Sequence, residues 1–289
     1  MKIDNSHFVL QCPICGRNDI FNSGDIKYAN PLIFADTRIE LTYQPQLWIC
    51  RACNSKFSQN IIHENDAIKL YIQQENNRWK YSESFEKFHT EKIVKTIKKI
   101  CKPGMQILDI GCSSGSLLDF TKNLGCNVYG IEFSDPGRKD CIKKGHICFK
   151  NIQEFPPGIL FDRIFCFDVI EHVYSFNQFF NQYSRFLKTG GIFCFVTGDI
   201  QGGMSRKYGP NWWYVRYPEH ICFPSLEYFS QLNNYKIVEQ KACYASIRHE
   251  EISLWDIVNL VKKIFKWDFD GRPSLMPDHI CLLLEKTDD

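Results

Sequence analysis

From Met105 onward the sequence alternates short apolar runs with amphipathic stretches, and this alternation restricts the fold more than any other feature. QILDI (106–110) and NVYGIE (127–132) have the composition of buried strands, and SLLDFTKNL (116–124) between them has apolar residues at helical spacing. The runs HICF, RIFCFDVI and GIFCFVT repeat the pattern, with a helix predicted at 178–187. Strands that alternate with helices form right-handed βαβ units. The sequence therefore predicts an α/β fold with a doubly wound, mostly parallel sheet.

Four of the fourteen cysteines stand in two CxxC pairs. Each pair is followed by a glycine or an asparagine, which tolerate the turn that lets two thiolates converge on one ion. Unrelated or redox pairs are the alternative, but a redox CxxC opens a helix, which these do not. We therefore predict that residues 1–63 form a zinc ribbon, whose structural zinc is bound by Cys12, Cys15, Cys50 and Cys53.

The other ten cysteines are scattered singly through apolar segments, where a free cysteine packs as a small hydrophobe. The first residues, MKIDNSHFVLQCP, lack the zones of a secretory signal, and no apolar run approaches the roughly 20 residues that cross a bilayer. We therefore expect a cytoplasmic protein. With 44% hydrophobic and 24% charged residues the composition is that of a globular protein, and extensive disorder is excluded.

The remaining pattern divides the chain into two further parts. Residues 64–104 read as a polar helical connector that ends at a Pro-Gly pair, and residues 105–289 form the main domain. At its end the order of elements reverses: YKIVEQKACYA is strand-like, an amphipathic helix is predicted near 252–266, and DHICLLLEK is again a strand.

The segment after the first predicted strand has the character of a ligand-binding turn. Gly111 and Gly115 allow a tight connection into a helix whose free N–H groups face a ligand. Glu132 follows the second strand, where an acidic side chain can accept both hydroxyls of a ribose. The G-x-G-x-x-G pattern of a dehydrogenase is missing, and Asp109 suits a charged amino group better than a phosphate.

With these motifs the sequence resembles the class I S-adenosylmethionine-dependent methyltransferases. LDIGCSSGSLL is similar to their glycine-rich first motif and VYGIEFS to their ribose-binding motif, while FDRIFCFDVIEHV and FLKTGGIFCFVT match the segments around strands four and five. The motifs follow the family's order across residues 106–197, with Ser113 where the family most often has a middle glycine. The resemblance implies a seven-stranded, mostly parallel, Rossmann-like methyltransferase sheet that binds S-adenosylmethionine.

The same resemblance implies roles for individual residues. Asp109, Gly111, Ser113 and Gly115 would hold the methionine part of the cofactor, and Glu132 the ribose. On the adenine side and near the transferred methyl group, the positions that match the family are Phe133, Asn151 and Asp168. Phe133 would lie beside the adenine, Asn151 would bond its amino group, and Asp168 ends the fourth strand.

A narrower resemblance covers almost the whole chain. A four-cysteine ribbon, this domain and a segment like NWWYVRYPEHICFPS are similar to bacterial methyltransferases of surface-polysaccharide and secondary-metabolite clusters. Sugar C-methyltransferases of antibiotic pathways share the ribbon and the EH pair but generally carry an additional C-terminal domain. We therefore expect O-methylation of a sugar, free or nucleotide- or lipid-linked, or of a related small polar acceptor.

A hydroxyl acceptor has to lose its proton, so we expect a general base. His220 is the first candidate because it follows the fifth strand on the substrate side, and Glu219 could orient its imidazole. His172, in VIEHV, is the second candidate. For both histidines the alternative is a structural role, in which the imidazole is buried and hydrogen-bonded.

Two other functions are weighed against the small-molecule enzyme. An RNA methyltransferase with a zinc ribbon would need a basic face, yet the formal net charge is +2 and residues 1–63 hold six basic against five acidic residues. Nucleic acid is therefore an unlikely partner. A non-catalytic docking protein would have lost its cofactor site, whereas Asp109 and Glu132 are both present.

Overall fold

The computed structural model describes residues 1–4, 6–28, 32–73, 84–244 and 277–287. In the N-terminal part the chain forms eight short strands, which are β1 (Lys2–Ile3), β2 (Ser6–His7), β3 (Ile20–Asp25), β4 (Leu32–Phe34), β5 (Thr37–Leu41), β6 (Gln46–Cys50), β7 (Lys56–Gln59) and β8 (Ile61–Ile62). β3, β6 and β7 pair antiparallel, and the second CxxC pair occupies the turn between β6 and β7. The second CxxC pair therefore lies in a hairpin turn and not at the start of a helix, and residues 1–63 are called the ribbon below.

The ribbon shares a sheet with the rest of the chain. A short strand far along the sequence, Cys222–Phe223, pairs antiparallel with β7, so that Cys222 lies opposite Phe57. Next to it, the Ser225 hydroxyl donates to the carbonyl oxygen of Cys53, and the Ser225 N–H donates to Oγ of Ser55 at 3.0 Å. The predicted boundary at residue 63 therefore separates two parts that pack on each other directly, which no local sequence signal indicated.

Short helices lie between the ribbon and the central sheet, in the segment predicted as a connector. Its described helices are α1 (Glu64–Gln73), α2 (Phe85–Phe88) and α3 (Glu91–Ile100). The apolar residues of α3 recur at helical spacing, and Ile93 and Ile97 are fully buried against the main domain. α3 ends three residues before Pro103, which cannot continue a helix.

The main domain is built on one central sheet. Its strands are β9 (Gln106–Ile110), β10 (Asn127–Ile131), β11 (Ile147–Phe149), β12 (Phe161–Phe167), β13 (Leu187–Gly198), β14 (Cys222–Phe223, in the ribbon sheet), β15 (Tyr235–Cys243) and β16 (His279–Lys286). Its described helices are α4 (Ser116–Asn123), α5 (Asp135–Lys143), α6 (Phe176–Ser184), α7 (Gly203–Tyr208) and α8 (Leu226–Ser230).

Seven of these strands pair in the order β11-β10-β9-β12-β13-β16-β15. The first five are parallel and β16 is antiparallel to both of its neighbours. The predicted doubly wound, mostly parallel seven-stranded sheet is thus confirmed. The strand order reverses between β9 and β12, and a ligand cleft is expected outside the carboxyl ends of the strands at such a point.

Element boundaries differ from the prediction in two places. The helix predicted at 178–187 is α6, and Leu187 already begins β13. The fourth strand ends at Phe167, because Asp168 turns the chain with a φ of 50°. The helix predicted near 252–266 lies outside the described residues. Within the described part of the chain, no helix is long and apolar enough to cross a membrane.

Candidate active site

The turn from β9 into α4 has three residues in the left-handed region. Gly111, Ser113 and Gly115 have φ values of 74°, 48° and 81°. Gly111 has no room for a side chain, because a Cβ there would lie 2.6 Å from Cγ2 of Val169. Ser113 adopts the backbone that glycine adopts most readily, and its N–H donates to Oε2 of Glu132 at 2.8 Å. The predicted turn therefore forms with serine in the middle position.

A buried carboxyl group and a half-buried one lie beside this turn. Asp109, on β9, is 4% exposed, and burial raises its pKa well above the usual range, with further contributions from the Cys141 thiol and from Glu132. Burial also raises the pKa of Glu132, against the opposing effect of N–H groups of Ser134 and Ser113 that donate to its carboxylate. A cationic, hydroxyl-bearing ligand would stabilise both carboxylates, so the pair fits the ammonium and ribose groups of S-adenosylmethionine.

The two residues predicted to flank the adenine behave differently. Phe133 lines the cavity and is 43% exposed, with the Lys150 ammonium 5.3 Å from its ring centre. The Asn151 side chain instead caps a single turn of helix, since its Oδ1 accepts from the N–H of Gln153 at 3.1 Å and its Nδ2 donates to Glu154. Asn151 is not among the described residues that line the cavity. Phe133 thus lies in the cavity wall, whereas the Asn151 side chain lies in a local cap.

An acid–histidine–acid arrangement lies at the carboxyl end of β12. Among the described residues Oδ1 of Asp168 has no hydrogen-bond partner, and it lies 3.7 Å from Nε2 of His279. The other ring nitrogen of His279 lies 2.7 Å from Oδ1 of Asp278, whose Oδ2 accepts from the Trp213 indole at 2.9 Å. Burial, with a further contribution from Glu171, raises the pKa of Asp168 to about 7.

His279 and Asp278 did not emerge from the sequence analysis. Only the topology of the sheet could have indicated them. An antiparallel last strand begins at the edge where the parallel strands have their carboxyl ends. His279, the first residue of β16, accordingly lies opposite Gly198 at the end of β13.

The two predicted histidines meet at the cavity wall. The rings of His172 and His220 are 4.9 Å apart and nearly perpendicular. Nδ1 of His172 lies 2.8 Å from the carbonyl oxygen of Glu219, and Nδ1 of His220 lies 2.7 Å from that of Tyr214. The buried Glu171 carboxylate lies within 4.8 Å of both imidazoles and accepts from the Tyr214 hydroxyl.

The role predicted for Glu219 needs a correction. Its carboxylate pairs with Nε of Arg216 at 3.1 Å, and the contact that orients His220 is the Tyr214 carbonyl oxygen. Glu219 contributes its own carbonyl oxygen, which fixes His172. The physical reason is the tight turn through residues 216–220, in which the N–H groups of Glu219 and His220 both donate to the Arg216 carbonyl.

One cavity joins these groups. Its volume is about 1270 Å³, larger than the roughly 300–1,000 Å³ of a typical pocket for one small ligand. Asp109 and Glu132 lie in its wall, as do His172 and His220. Ribbon and connector residues form part of the wall as well, including His7, Gln11, Glu64 and Tyr71. The cavity can therefore hold a cofactor and an acceptor together.

The two CxxC pairs converge as predicted. The four sulfur atoms of Cys12, Cys15, Cys50 and Cys53 lie within 4.8 Å of one another, with Sγ–Sγ distances of 3.9 Å for Cys12–Cys53 and 3.6 Å for Cys15–Cys50. Four thiolates at this spacing fit a tetrahedral zinc ion, in which zinc–sulfur bonds of about 2.3 Å separate the ligands by about 3.8 Å. The donor set is complete with four protein ligands, as a structural site requires, and one of them, Cys12, also lies in the wall of the cavity.

Comparisons with known proteins agree with this geometry. Residues 81–237, more than half of the chain, match a family described as a methyltransferase domain. The ubiquinone biosynthesis O-methyltransferase of Bradyrhizobium sp. (strain ORS 278) is 32% identical over 104 residues, which are 34% of this chain and 41% of that enzyme. The pavine N-methyltransferase of Thalictrum flavum subsp. glaucum is 31% identical over 137 residues, 43% of this chain and 37% of its own length.

The match to these curated relatives thus spans about two fifths of their length. Among solved structures, the MccD protein aligns with a TM-score of 0.50 at 14% identity, covering 68% of this chain and 97% of that one. At that identity the likeness shows the fold alone.

Proposed function

The chain belongs to the methyltransferase-domain family, and from that premise we propose that it is an S-adenosylmethionine-dependent methyltransferase that O-methylates a sugar or a related small polar acceptor. The observation that carries the proposal is the single cavity, in which a carboxylate-lined end and a histidine-lined end open into the same space. We assign the first end to the cofactor and the second to the acceptor. Surface-glycan or secondary-metabolite biosynthesis is the context in which such acceptors arise.

When bound, S-adenosylmethionine would supply the methyl group on its sulfonium sulfur for transfer to the acceptor oxygen, with S-adenosylhomocysteine as the leaving group. Asp109 would hold the ammonium group, the backbone of Gly111, Ser113 and Gly115 the methionine part, and Glu132 the ribose hydroxyls. The work of these residues is alignment, which contributes up to about 7–11 kcal/mol in favourable cases. The Phe133 ring offers an apolar face to the adenine, and Asp168 faces the region of transfer.

His220 is the proposed general base. Because a carbonyl oxygen only accepts, the proton of the neutral ring is on Nδ1, where it donates to Tyr214, and Nε2 keeps its lone pair. Burial lowers the pKa of His220 well below its usual value, and His172 beside it lowers it further. The imidazole is therefore neutral at pH 7 and able to accept the acceptor's proton, a step worth about 10²–10⁴-fold.

The cavity wall also suits a hydroxylated acceptor. Four amide side chains line it, from Gln11 in the ribbon and from Asn177, Gln178 and Gln182 around α6. An amide both donates and accepts, which matches the pattern of a sugar hydroxyl. Trp213 lies in the same wall, whereas Trp212 is 1% exposed and anchors the segment to the core.

The proposal is tested by measuring transfer of labelled methyl groups from S-adenosylmethionine to a panel of nucleotide-linked sugars, free sugars, phenols, amines and RNA. We expect transfer to a sugar hydroxyl, with the product sensitive to a His220→Ala substitution. Transfer to amines or RNA alone would contradict the assigned acceptor and leave the methyltransferase assignment in place. No cofactor turnover and no cofactor binding by folded protein would contradict both.

A further inference from the structure

A second group of three cysteines converges beside the glycine-rich turn. Cys112 belongs to that turn, Cys141 to α5 and Cys148 to β11, so three separate elements bring their thiols together. Sγ of Cys112 lies 3.8 Å from Sγ of Cys141 and 3.5 Å from Sγ of Cys148, and all three sulfurs lie within 4.8 Å of one another. Neither the ribbon nor the proposed methyl transfer uses these side chains.

The triangle has the dimensions of a metal centre. The nearest point equidistant from three sulfurs with these separations lies at most about 2.4 Å from each, and zinc–thiolate bonds are about 2.3 Å long. The separations also reproduce those of the two CxxC pairs in the same chain, 3.9 and 3.6 Å. The cluster thus has the spacing of a thiolate metal site, but it supplies three protein ligands where the ribbon supplies four.

The surroundings leave room for three sulfurs. Gly130 on β10 leaves the space, because a Cβ there would lie 2.6 Å from Sγ of Cys112. Leu118 packs against the cluster, in which Cys112 and Cys141 are buried and Cys148 is half-buried. Packed as neutral thiols the three cysteines would only fill a core, whereas a bound cation would convert them to thiolates that hold it.

We propose that Cys112, Cys141 and Cys148 bind a thiophilic d¹⁰ cation, zinc or cuprous ion, as three thiolates, with any fourth ligand coming from solvent. Binding forms three metal–sulfur bonds and releases the three thiol protons to solvent, without any change of oxidation state. The ion ties the turn at 111–115 to α5 and β11. It therefore holds the backbone of the cofactor turn in place through a contact that is independent of the acceptor.

The test counts metal–sulfur bonds in reduced, metal-stripped full-length protein titrated with Cd²⁺. Each cadmium–thiolate bond adds a charge-transfer absorbance, so the ribbon and the new site together predict seven bonds per chain, four plus three. A Cys141→Ser/Cys148→Ser double variant should return the count to four. Cys243→Ser, which removes a buried cysteine outside both clusters, should keep it at seven.

A count of four in the unaltered protein overturns the proposal, and so does a count that the double variant leaves unchanged. A mass two hydrogens below that of the reduced chain, with the loss mapped to these cysteines and no metal bound, would show a disulfide in its place. If the double variant does not fold, the count in the unaltered protein still decides. Arms with Zn²⁺ and with Cu⁺ under anaerobic conditions, read by competition against the bound cadmium, distinguish the two ions.

Discussion

Replacement of Gly111 by alanine tests the cofactor turn at its tightest point. The residue has a φ of 74°, which costs an L-amino acid about 1–2 kcal/mol. The new Cβ would lie 2.6 Å from Cγ2 of Val169, where apolar carbons prefer about 3.5–4.0 Å, and such overpacking costs about 1–3 kcal/mol. We therefore expect Gly111→Ala to lower the free energy of unfolding by about 2–5 kcal/mol.

Gly145 provides the matched control. Its φ is 82°, close to that of Gly111, but a Cβ there would meet no atom within 4 Å. Gly145→Ala should therefore cost only the backbone contribution of about 1–2 kcal/mol. The difference between the two variants isolates the contact with Val169.

Chemical denaturation measures both free energies, and calorimetry with S-adenosylhomocysteine measures the effect on binding. We expect Gly111→Ala to displace the turn and to weaken binding at least tenfold, and Gly145→Ala to leave binding within twofold of the unaltered protein. Equal losses of stability in the two variants, together with unchanged binding in both, would refute the assignment of the turn to the cofactor.

Three further predictions concern the remaining groups. His220→Ala should lower turnover at least tenfold and leave the affinity for S-adenosylhomocysteine within twofold; equal turnover with the true acceptor would remove His220 from the mechanism. Because the pKa of Asp168 is about 7 in the folded protein against 3.8 ordinarily, the unfolded chain binds fewer protons between these values, and stability falls as pH rises through that window. Asp168→Asn should make this fall smaller, as denaturation at pH 4 to 8 would show, and an unchanged pH dependence would contradict the pKa. Cys50→Ser should reduce the zinc in the ribbon and lower the melting temperature, and full zinc content in this variant, measured with the Cys141→Ser/Cys148→Ser background, would count against the four-cysteine site.

Much of the fold follows from local sequence. The apolar runs in 106–197 identify five parallel strands because each is short, apolar and bounded by turn residues. The glycines of the turn after β9 and Glu132 after β10 likewise identify the cofactor end of the cavity, because each directly follows a predicted strand. The CxxC pairs identify their site because the chemistry of a zinc ion fixes the ligands and their spacing.

What the sequence does not reveal depends on contacts between distant residues. His279 stands in an apolar strand, and only the antiparallel pairing of β16 with β13 brings it 3.7 Å from Asp168. The pairing of Cys222 with Phe57 likewise joins the ribbon to the main domain, and these residues are too far apart in sequence for a local pattern to predict it. The prediction for Glu219 assumed that proximity in sequence means contact. Although Glu219 is adjacent to His220, its carboxylate pairs with Arg216.

Calorimetric titration with S-adenosylhomocysteine tests the central assignment most directly, with Glu132→Ala and Glu154→Ala alongside. Glu132 accepts two backbone N–H groups at the cavity, whereas Glu154 is exposed and lies outside the described cavity wall. The account predicts micromolar binding by the unaltered protein. Glu132→Ala should weaken it at least tenfold, because hydrogen bonds to a charged group contribute about 1.5–3 kcal/mol. Glu154→Ala should leave the affinity unchanged. Absence of binding by the folded, zinc-loaded protein, or equal binding by all three proteins, would contradict it.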